Sequence, residues 1–405
     1  MGLNTQLISL GVLSLALVGT VIYRLKLHRA AIAAPRLTRL PPHRAAAETG
    51  QPFPAIIVII PAYNEAANIA DCVISVLVSA EQEVPHLEVW VVDDQSTDET
   101  WTIVQTLQQD LQDSRLHTLQ GKPRPADQVW IGKNWACTQG AEQAKGEYLL
   151  FLDADVRLQS GAIATVLDLM QREPIDLLTL CPAIICDCLG EWLIQPLIIG
   201  LLAIGYDFTE VNDPTQETAF ANGQFMLFRR SAYETLGGHQ AVAGEVVEDV
   251  ELARRVKQSG LQLRYMLGHD LASVRMYPSF AAIWEGWTKN WYQGSQRNLS
   301  LTLYIAVVVL WVCLTPWLVM LTTIGQIAVI GLNPFDLVLM GVALFAIVLQ
   351  YGLRQQIERI STIPPRYWWL TGISGILVAA IAIASIIKTE TGWGWTWRGR
   401  EINKR

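Results

Sequence analysis

With 405 residues, 51% of them hydrophobic, and a mean hydropathy of +0.27, the chain has room for one sizeable soluble domain and something apolar besides. Its net charge of −7 and pI near 5.5 offer no basic surface, so no nucleic-acid partner is expected. Six scattered cysteines without paired histidines argue against a zinc site and for free, mostly buried thiols.

The first feature in chain order is Leu7 to Tyr23, a nearly unbroken apolar run just long enough to span a bilayer. Arg24, Lys26, Arg29, Arg36, Arg39 and Arg44 follow it, with no acid before Glu48. A cleaved signal peptide carries its basic cluster ahead of the apolar run. Residues 1–28 therefore read as an uncleaved anchor whose C-terminal side faces the cytoplasm. A Pro-rich basic linker occupies 29–53. From 54 to 278 strand-like and helix-like patterns alternate, the mark of an α/β layer fold without internal repeats. The expected strands are Ala55–Ile60, Leu87–Val92, Arg115–Leu119 and Tyr148–Leu152. Helices are expected over Asn64–Ser79, from a cap at Asp98 through Leu107, and over Asn134–Ala144.

Inside this block Leu189 to Tyr206 (LGEWLIQPLIIGLLAIGY) is strongly apolar and reads either as a core helix or, the favoured alternative, as a helix that dips into the membrane. Residues 279–300 are Trp-rich, with Trp284, Trp287 and Trp291 on one helix face, a pattern that suits core packing or, the favoured alternative ahead of a membrane run, a lipid surface. Three apolar runs, Leu301–Leu332, Phe335–Leu353 and Trp368–Ile387, make a membrane region of 301–388, and 389–405 is a basic tail. Three simple crossings would leave that tail outside, against the charge of Lys388, Arg398, Arg400, Lys404 and Arg405. The first run is overlong and holds Pro316, so it is expected to tilt, kink or turn back. Turning back would return the tail to the cytoplasm.

Residues able to carry chemistry gather where strands end, which is where open α/β sheets bind ligands. Asp94, in Asp93-Asp94, can accept from the imide N–H of uracil; its plainer role is to close an Asx turn. Asp153 and Asp155 flank Ala154 after Tyr148–Leu152, and alternation along an extended chain puts both carboxylates on one side. One suits a ribose or a metal-bound water. The other suits Mg2+ or Mn2+ bridging two phosphates, since such hard cations take oxygen ligands. Glu248-Asp249 opens a helical pattern, where Asp249 serves as a cap or as the base that takes a proton from an acceptor hydroxyl. Lys133 can neutralise phosphate, and His239 is a candidate acceptor contact. No Gly-rich phosphate loop and no Ser-His-Asp arrangement is visible.

In order, Pro61-Ala62-Tyr63-Asn64-Glu65, Asp93-Asp94, Gly132-Lys133-Asn134-Trp135-Ala136, Asp153-Ala154-Asp155 and Glu248-Asp249 resemble the motif series of family 2 glycosyltransferases, over about residues 54 to 300. The resemblance implies a GT-A nucleotide-sugar-binding α/β domain with a mixed, mostly parallel sheet, between N-terminal and C-terminal transmembrane helices. It implies that Ala62, Tyr63, Glu65 and Asp94 surround uridine and that Lys133 lies near the donor. Asp153 would reach ribose or sugar, Asp155 would ligate Mg2+ or Mn2+, and Asp249 would be the base of an inverting transfer. Phe220-Ala221-Asn222-Gly223-Gln224-Phe225 resembles the family's small-residue segment, which puts Asn222, Gly223 and Gln224, with Glu248, on the acceptor side.

Processive synthases carry Q-x-x-R-W; Gln293-Gly294-Ser295-Gln296-Arg297-Asn298 departs from it, which weakens a chain-elongating reading. Trp397-Arg398-Gly399-Arg400 instead resembles the tail of lipid-acting members such as ceramide glucosyltransferases and the bacterial hopanoid and carotenoid enzymes. Arg297, Trp397, Arg398 and Arg400 would then meet the donor diphosphate from the membrane side. The expectation is transfer of a hexose, UDP-glucose being the first candidate donor, to the hydroxyl of a membrane lipid. A carotenoid comes ahead of a hopanoid, sphingolipid or glycerolipid, with polysaccharide synthesis and a non-enzymatic scaffold as alternatives. The catalytic domain is expected in the cytoplasm, at a bacterial inner or plasma membrane.

Overall fold

The computed structural model describes residues 3–40, 53–80, 84–125, 127–143 and 145–402. Pro41, Pro42, Arg44, Glu48 and Pro52 of the expected linker lie outside these residues, as do Ala144, Lys404 and Arg405. In chain order the elements begin with α1 (Leu3–Ala33), β1 (Ile56–Ala62), α2 (Ile69–Ser79), β2 (Leu87–Asp93), α3 (Thr100–Leu111), β3 (Leu116–Gln120), α4 (Gly132–Gln143) and β4 (Tyr148–Leu152). Next come β5 (Val156–Leu158), α5 (Ala162–Arg172), β6 (Leu177–Cys181), β7 (Ala183–Ile184), α6 (Leu189–Gly205), α7 (Phe208–Asn212), β8 (Phe225–Arg229) and α8 (Arg230–Thr235). The rest are α9 (Glu248–Gln258), β9 (Leu263–Leu267), β10 (Ala272–Val274), α10 (Phe280–Gly294), α11 (Leu299–Ile330), α12 (Pro334–Ser361), α13 (Thr371–Thr391), β11 (Thr396–Trp397) and β12 (Arg400–Glu401). They fall into two compact units, an α/β unit built from 34–185 and 206–276 and a helical unit built from 1–33, 186–205 and 277–401.

The α/β unit is organised by a sheet of order β3-β2-β1-β4-β8-β6-β9, in which only β8 runs against its neighbours. The apolar cores of β1 (IIVII) and β4 (YLLFL) are fully buried, as strands covered on both faces must be. Ala62 pairs with Asp93, and Leu152 with Phe225, so the ends of β1, β2 and β4 and the start of β8 share one edge. β1 runs through Pro61, where the sequence suggested a stop. Its pairing with β4 ends at Ile59, so beyond that point one side of the strand asks for no ladder bond. α2 begins five residues later than the apolar spacing suggested. Asn64 sits at φ +54°, outside helical geometry, and its side chain serves the neighbouring loop instead. α3 runs on to Leu111, with Asp98 accepting from the Thr100 N–H ahead of it.

In the helical unit, four helices are long and apolar enough to cross a membrane: Thr5–Ala33, Leu299–Ile330, Pro334–Ser361 and Trp368–Thr391. The first C-terminal run corrects the sequence expectation, since α11 is a single helix of 32 residues that passes through Pro316 without turning back. α12 runs antiparallel to it: Asp336 meets Gln326, and farther on Gln350 bonds the carbonyls of Val312 and Cys313. α13 is antiparallel to α11 as well. Gly372 lies against Trp317 and Gly375 against Cys313, while Ser385 accepts from the Tyr292 N–H and Lys388 donates to Thr288 in α10. α12 and α13 therefore point the same way, and residues 362–370 make the turn back. Pro364 and Pro365 bar further helix there, and Trp368 wedges against Trp317 and Tyr351. The turn brings the tail to α10, where Glu285 accepts from Thr396 and from the Arg398 N–H.

α6 packs among these helices, against α1, α10, α12 and α13. The tryptophan face of α10 is shared rather than laid out for lipid: Trp287 and Trp291 are buried, and the Trp287 indole donates to Gln195 of α6.

Candidate active site

At the shared strand edge, two loops are stitched together by short polar side chains. The Asn64 N–H donates to Ser96, Asn64 Oδ1 accepts from the Thr97 N–H, the Glu65 N–H donates to Thr100, and Asp98 holds the Ala66 N–H. At the end of β2 the Asp93 carboxylate accepts from the Ser96 N–H, three residues on, at 3.2 Å, and so holds the following loop. The Asp94 N–H donates to the Ala62 carbonyl, which sets Ala62, Tyr63, Glu65 and Asp94 side by side at the ends of β1 and β2.

Lys133 is the centre of the acidic cluster. Its Nζ lies 2.6 Å from Asp153 and 2.9 Å from Glu248, and it donates to the Gly223 carbonyl at 3.1 Å. Burial pulls the ammonium down, but the two carboxylates win and hold it well above the ordinary lysine value. Burial in turn pushes Glu248 up, and Lys133 more than offsets this, leaving it below the usual glutamate value.

Asp249 is held from both sides: the Gly223 N–H donates to Oδ2 at 2.8 Å and the Val250 N–H to Oδ1 at 2.8 Å. Burial, with the Glu248 charge beside it, pushes its carboxyl up to about 7 despite those bonds. A carboxylate that gains and loses a proton near neutrality is suited to general-base work. Gly223 permits the close approach, because a Cβ there would sit 3.0 Å from the Asp249 carboxylate and 3.2 Å from Glu248. The Asp153 N–H bonds the Gln224 carbonyl, and Asn222 exchanges backbone bonds with the Thr179 hydroxyl. Asp153, Lys133, Gly223, Glu248 and Asp249 thus form one connected group. Asp155 lies within electrostatic reach of Cys72, as do Asp153 and Glu65.

Two residues answer differently from the sequence reading. His239 is 1% exposed, pairs with the Tyr233 hydroxyl at 2.9 Å and packs on Phe151; burial holds its imidazole down at about 3, so it is a neutral core residue and not an acceptor contact. Asn134, passed over except as a motif letter, is fully buried, and its amide donates to the carbonyls of Val242, Ala243 and Glu245. It ties the start of α4, with Lys133, to the loop that delivers Glu248-Asp249. The sequence signal for it was only a small amide directly beside a charged residue at a helix start.

The basic residues named for the diphosphate lie in the helical unit. Arg297 forms a two-pronged pair with Glu390. Trp397 lies under the Lys289 ammonium at 3.9 Å, and Arg398 and Gly399 occupy the tip of the β11–β12 hairpin, both at positive φ, before Arg400.

Family descriptions match this chain over both units: "Glycosyl transferase family 2" over residues 57–237, and "Glycosyl transferase family group 2" over residues 148–383, more than half of the chain. The chain belongs to the family 2 glycosyltransferases, and it is an enzyme of that class. Among curated relatives, the 4,4'-diaponeurosporenoate glycosyltransferase of Staphylococcus aureus strain MRSA252 is 28% identical over 64% of this chain and 65% of its own length. The protein of the same name from strain USA300 is 28% identical over 60% of this chain and 62% of its own length. The chain thus matches less than two thirds of the length of these relatives. A solved mannosyltransferase of Pyrobaculum calidifontis, in complex with GDP-Man and Mn2+, shares the fold with a TM-score of 0.51 at 16% identity, covering 96% of this chain and 99% of that one. The architecture is accordingly a GT-A domain with long apolar helices at both ends.

Proposed function

We propose that the protein transfers a hexose from a nucleotide sugar, UDP-glucose first, to the hydroxyl of a membrane lipid, with a carotenoid as the leading acceptor. The observation that carries this is Asp249, a partly buried carboxyl pushed up to about 7 and aimed by two backbone N–H groups beside the cluster of Lys133, Asp153 and Glu248. In this reading Ala62, Tyr63, Glu65 and Asp94 receive the nucleoside, and Lys133 and Asp153 meet the donor. Asn222, Gly223, Gln224 and Glu248 flank the acceptor. In this reading the catalytic domain and the tail lie in the cytoplasm.

Among the described residues no group of three His, Cys, Asp or Glu side chains is placed to hold an ion by itself. Asp155, an oxygen donor two residues beyond Asp153, fits Mg2+ or Mn2+ that arrives with diphosphate oxygens to complete its shell. Such a cation, when bound, offsets charge on the departing nucleotide. Asp249 takes the proton from the acceptor oxygen as that oxygen attacks the face opposite the leaving group, so configuration inverts.

The relatives' name supports a second reading of the acceptor, because a carotenoate presents a carboxylate that needs no base. One experiment separates the two. Membranes holding the full chain are supplied with labelled UDP-glucose, UDP-galactose or GDP-mannose, and the lipids are then extracted. We expect label from one donor in a lipid, with at least a hundredfold loss for Asp249→Asn. An alkali-labile ester that survives Asp249→Asn favours the carboxylate acceptor, and label confined to water-soluble polymer sinks both.

A further inference from the structure

Next to Asp249 stands a ladder of four aromatic rings that the preceding reading leaves without a role. We propose that its outer pair, Tyr206 and Phe220, is the platform on which the apolar body of the acceptor lies while its polar end faces Asp249; this rests on the lipid-acceptor reading and extends it to named residues. Phe208 and Tyr265 form the inner rungs, stacked at 4.7 Å with planes 7° apart and each 3% exposed. Phe220 follows at 5.5 Å from Tyr265, and Tyr206 stacks on Phe220 at 4.5 Å. Burial falls off along the ladder, so the last two rings are partly open while the first two are closed. Phe220 stands three residues ahead of Gly223, whose N–H holds the Asp249 carboxylate, and the Tyr206 phenol lies within electrostatic reach of that same carboxylate.

The support beneath the rings is more elaborate than a loop needs. Lys257 Nζ donates to the carbonyls of Glu210, Asp213 and Gln216 at 2.7, 2.8 and 3.1 Å. The Asn212 amide bonds the Tyr265 carbonyl and accepts from the Tyr265 N–H, and Thr218 donates to Glu210. Lys257 belongs to α9, the helix that Glu248 and Asp249 open, so one helix fixes both the base and the segment that carries the rings. Partly exposed rings held this firmly suit a flat or extended non-polar partner with a single polar end. A water-soluble acceptor would leave them needlessly exposed.

The test uses the full chain in phosphatidylcholine–phosphatidylglycerol vesicles, with UDP-glucose and with zeaxanthin, a hydroxylated carotenoid, as the acceptor probe at varied mole fraction. Tyr206→Ser and Phe220→Ala are expected to raise the acceptor KM about tenfold each while the donor KM stays put; Tyr206→Phe, which keeps the ring, stays within about twofold. Where a truncated variant no longer binds donor and so has not folded, Phe220→Leu replaces it and is held to the same split between the two KM values. An unmoved acceptor KM, or a donor KM that rises in step, overturns the platform. Should the unaltered protein cleave UDP-glucose yet glucosylate no zeaxanthin, the hydroxylated-carotenoid reading of the acceptor fails first and takes the platform with it, a result seen before any variant is made.

Discussion

In the α/β unit, charge that is buried or partly buried is gathered at the strand edge where Lys133 sits between Asp153 and Glu248 with Asp249 alongside. In the helical unit buried polar side chains are dispersed, and several of them answer a backbone group. Gln350 bonds the carbonyls of Val312 and Cys313, Arg354 bonds that of Trp192, and the Ser385 hydroxyl takes the Tyr292 N–H. The first arrangement holds charges whose protonation states are coupled and can change in a reaction. The second uses polarity to repair interrupted backbone, which is what an apolar surrounding demands of irregular helices. Function and scaffolding thus make opposite uses of a buried polar group, and variants should separate them by what is lost.

The largest effect is expected at Asp249. Because its folded value is raised to about 7 from 3.8, it holds a proton in the folded protein that the unfolded chain has released in that window. The stabilisation this provides is complete below about 3.8 and is lost as pH rises through 7, whereas activity requires the ionised form and rises over the upper part of that range. Asp249→Asn should therefore cost about 10²–10⁴-fold in turnover yet melt higher than the parent above pH 7, with the gap closing toward pH 4. Rates across pH and thermal unfolding at pH 4 and 8 check both halves. A variant that is equally inactive but less stable at pH 8 would mean that Asp249 is scaffolding.

Next comes Lys133→Met, which strands Asp153 and Glu248 together without their shared cation. Leaving carboxylates uncompensated in a largely buried site costs about 3 kcal/mol. The protein should lose stability as well as activity, read as a lowered denaturation midpoint, and Lys133→Arg should recover stability better than turnover. A Lys133→Met protein with unchanged stability would show that the cluster is open to water and not held by this ion pair.

How far the sequence anticipated these sites depended on how local the cause was. β4 lies where its apolar run ends, because Tyr148–Leu152 is buried on both faces and leads directly into Asp153. The connected group of Lys133, Asp153, Gly223 and Asp249 was named from ordered motifs, and the sheet register brings it together. What escaped was set by distant partners. Nothing near Asn134 in the chain discloses the three carbonyls of residues 242–245 that it holds. The turn at 362–370 was likewise misassigned to the first apolar run. Pro316 looked like a reason for that run to break, and the side chain that makes it tolerable lies 34 residues on, at Gln350.

That last pairing supplies the smallest and most specific test. A proline inside a helix has no N–H for the carbonyl four residues back, so Pro316 leaves Val312 and Pro196 leaves Trp192 without a helical donor. α12 provides both replacements from one face, four residues apart: Gln350 donates to the Val312 carbonyl at 2.9 Å, and Arg354 to the Trp192 carbonyl at 2.7 Å. Gln350→Leu and Arg354→Met should each lower stability by about 1–3 kcal/mol in detergent, since each leaves a buried carbonyl unmet. Pro316→Ala restores the missing N–H and should relieve Gln350→Leu but not Arg354→Met, while Pro196→Ala should relieve only Arg354→Met. A double-mutant cycle reads this as a coupling of about 0.5–3 kcal/mol within each pair and near zero across them. Equal relief by either proline replacement would mean that the gain is general helix propensity, and that the two side chains are not each matched to one interrupted turn.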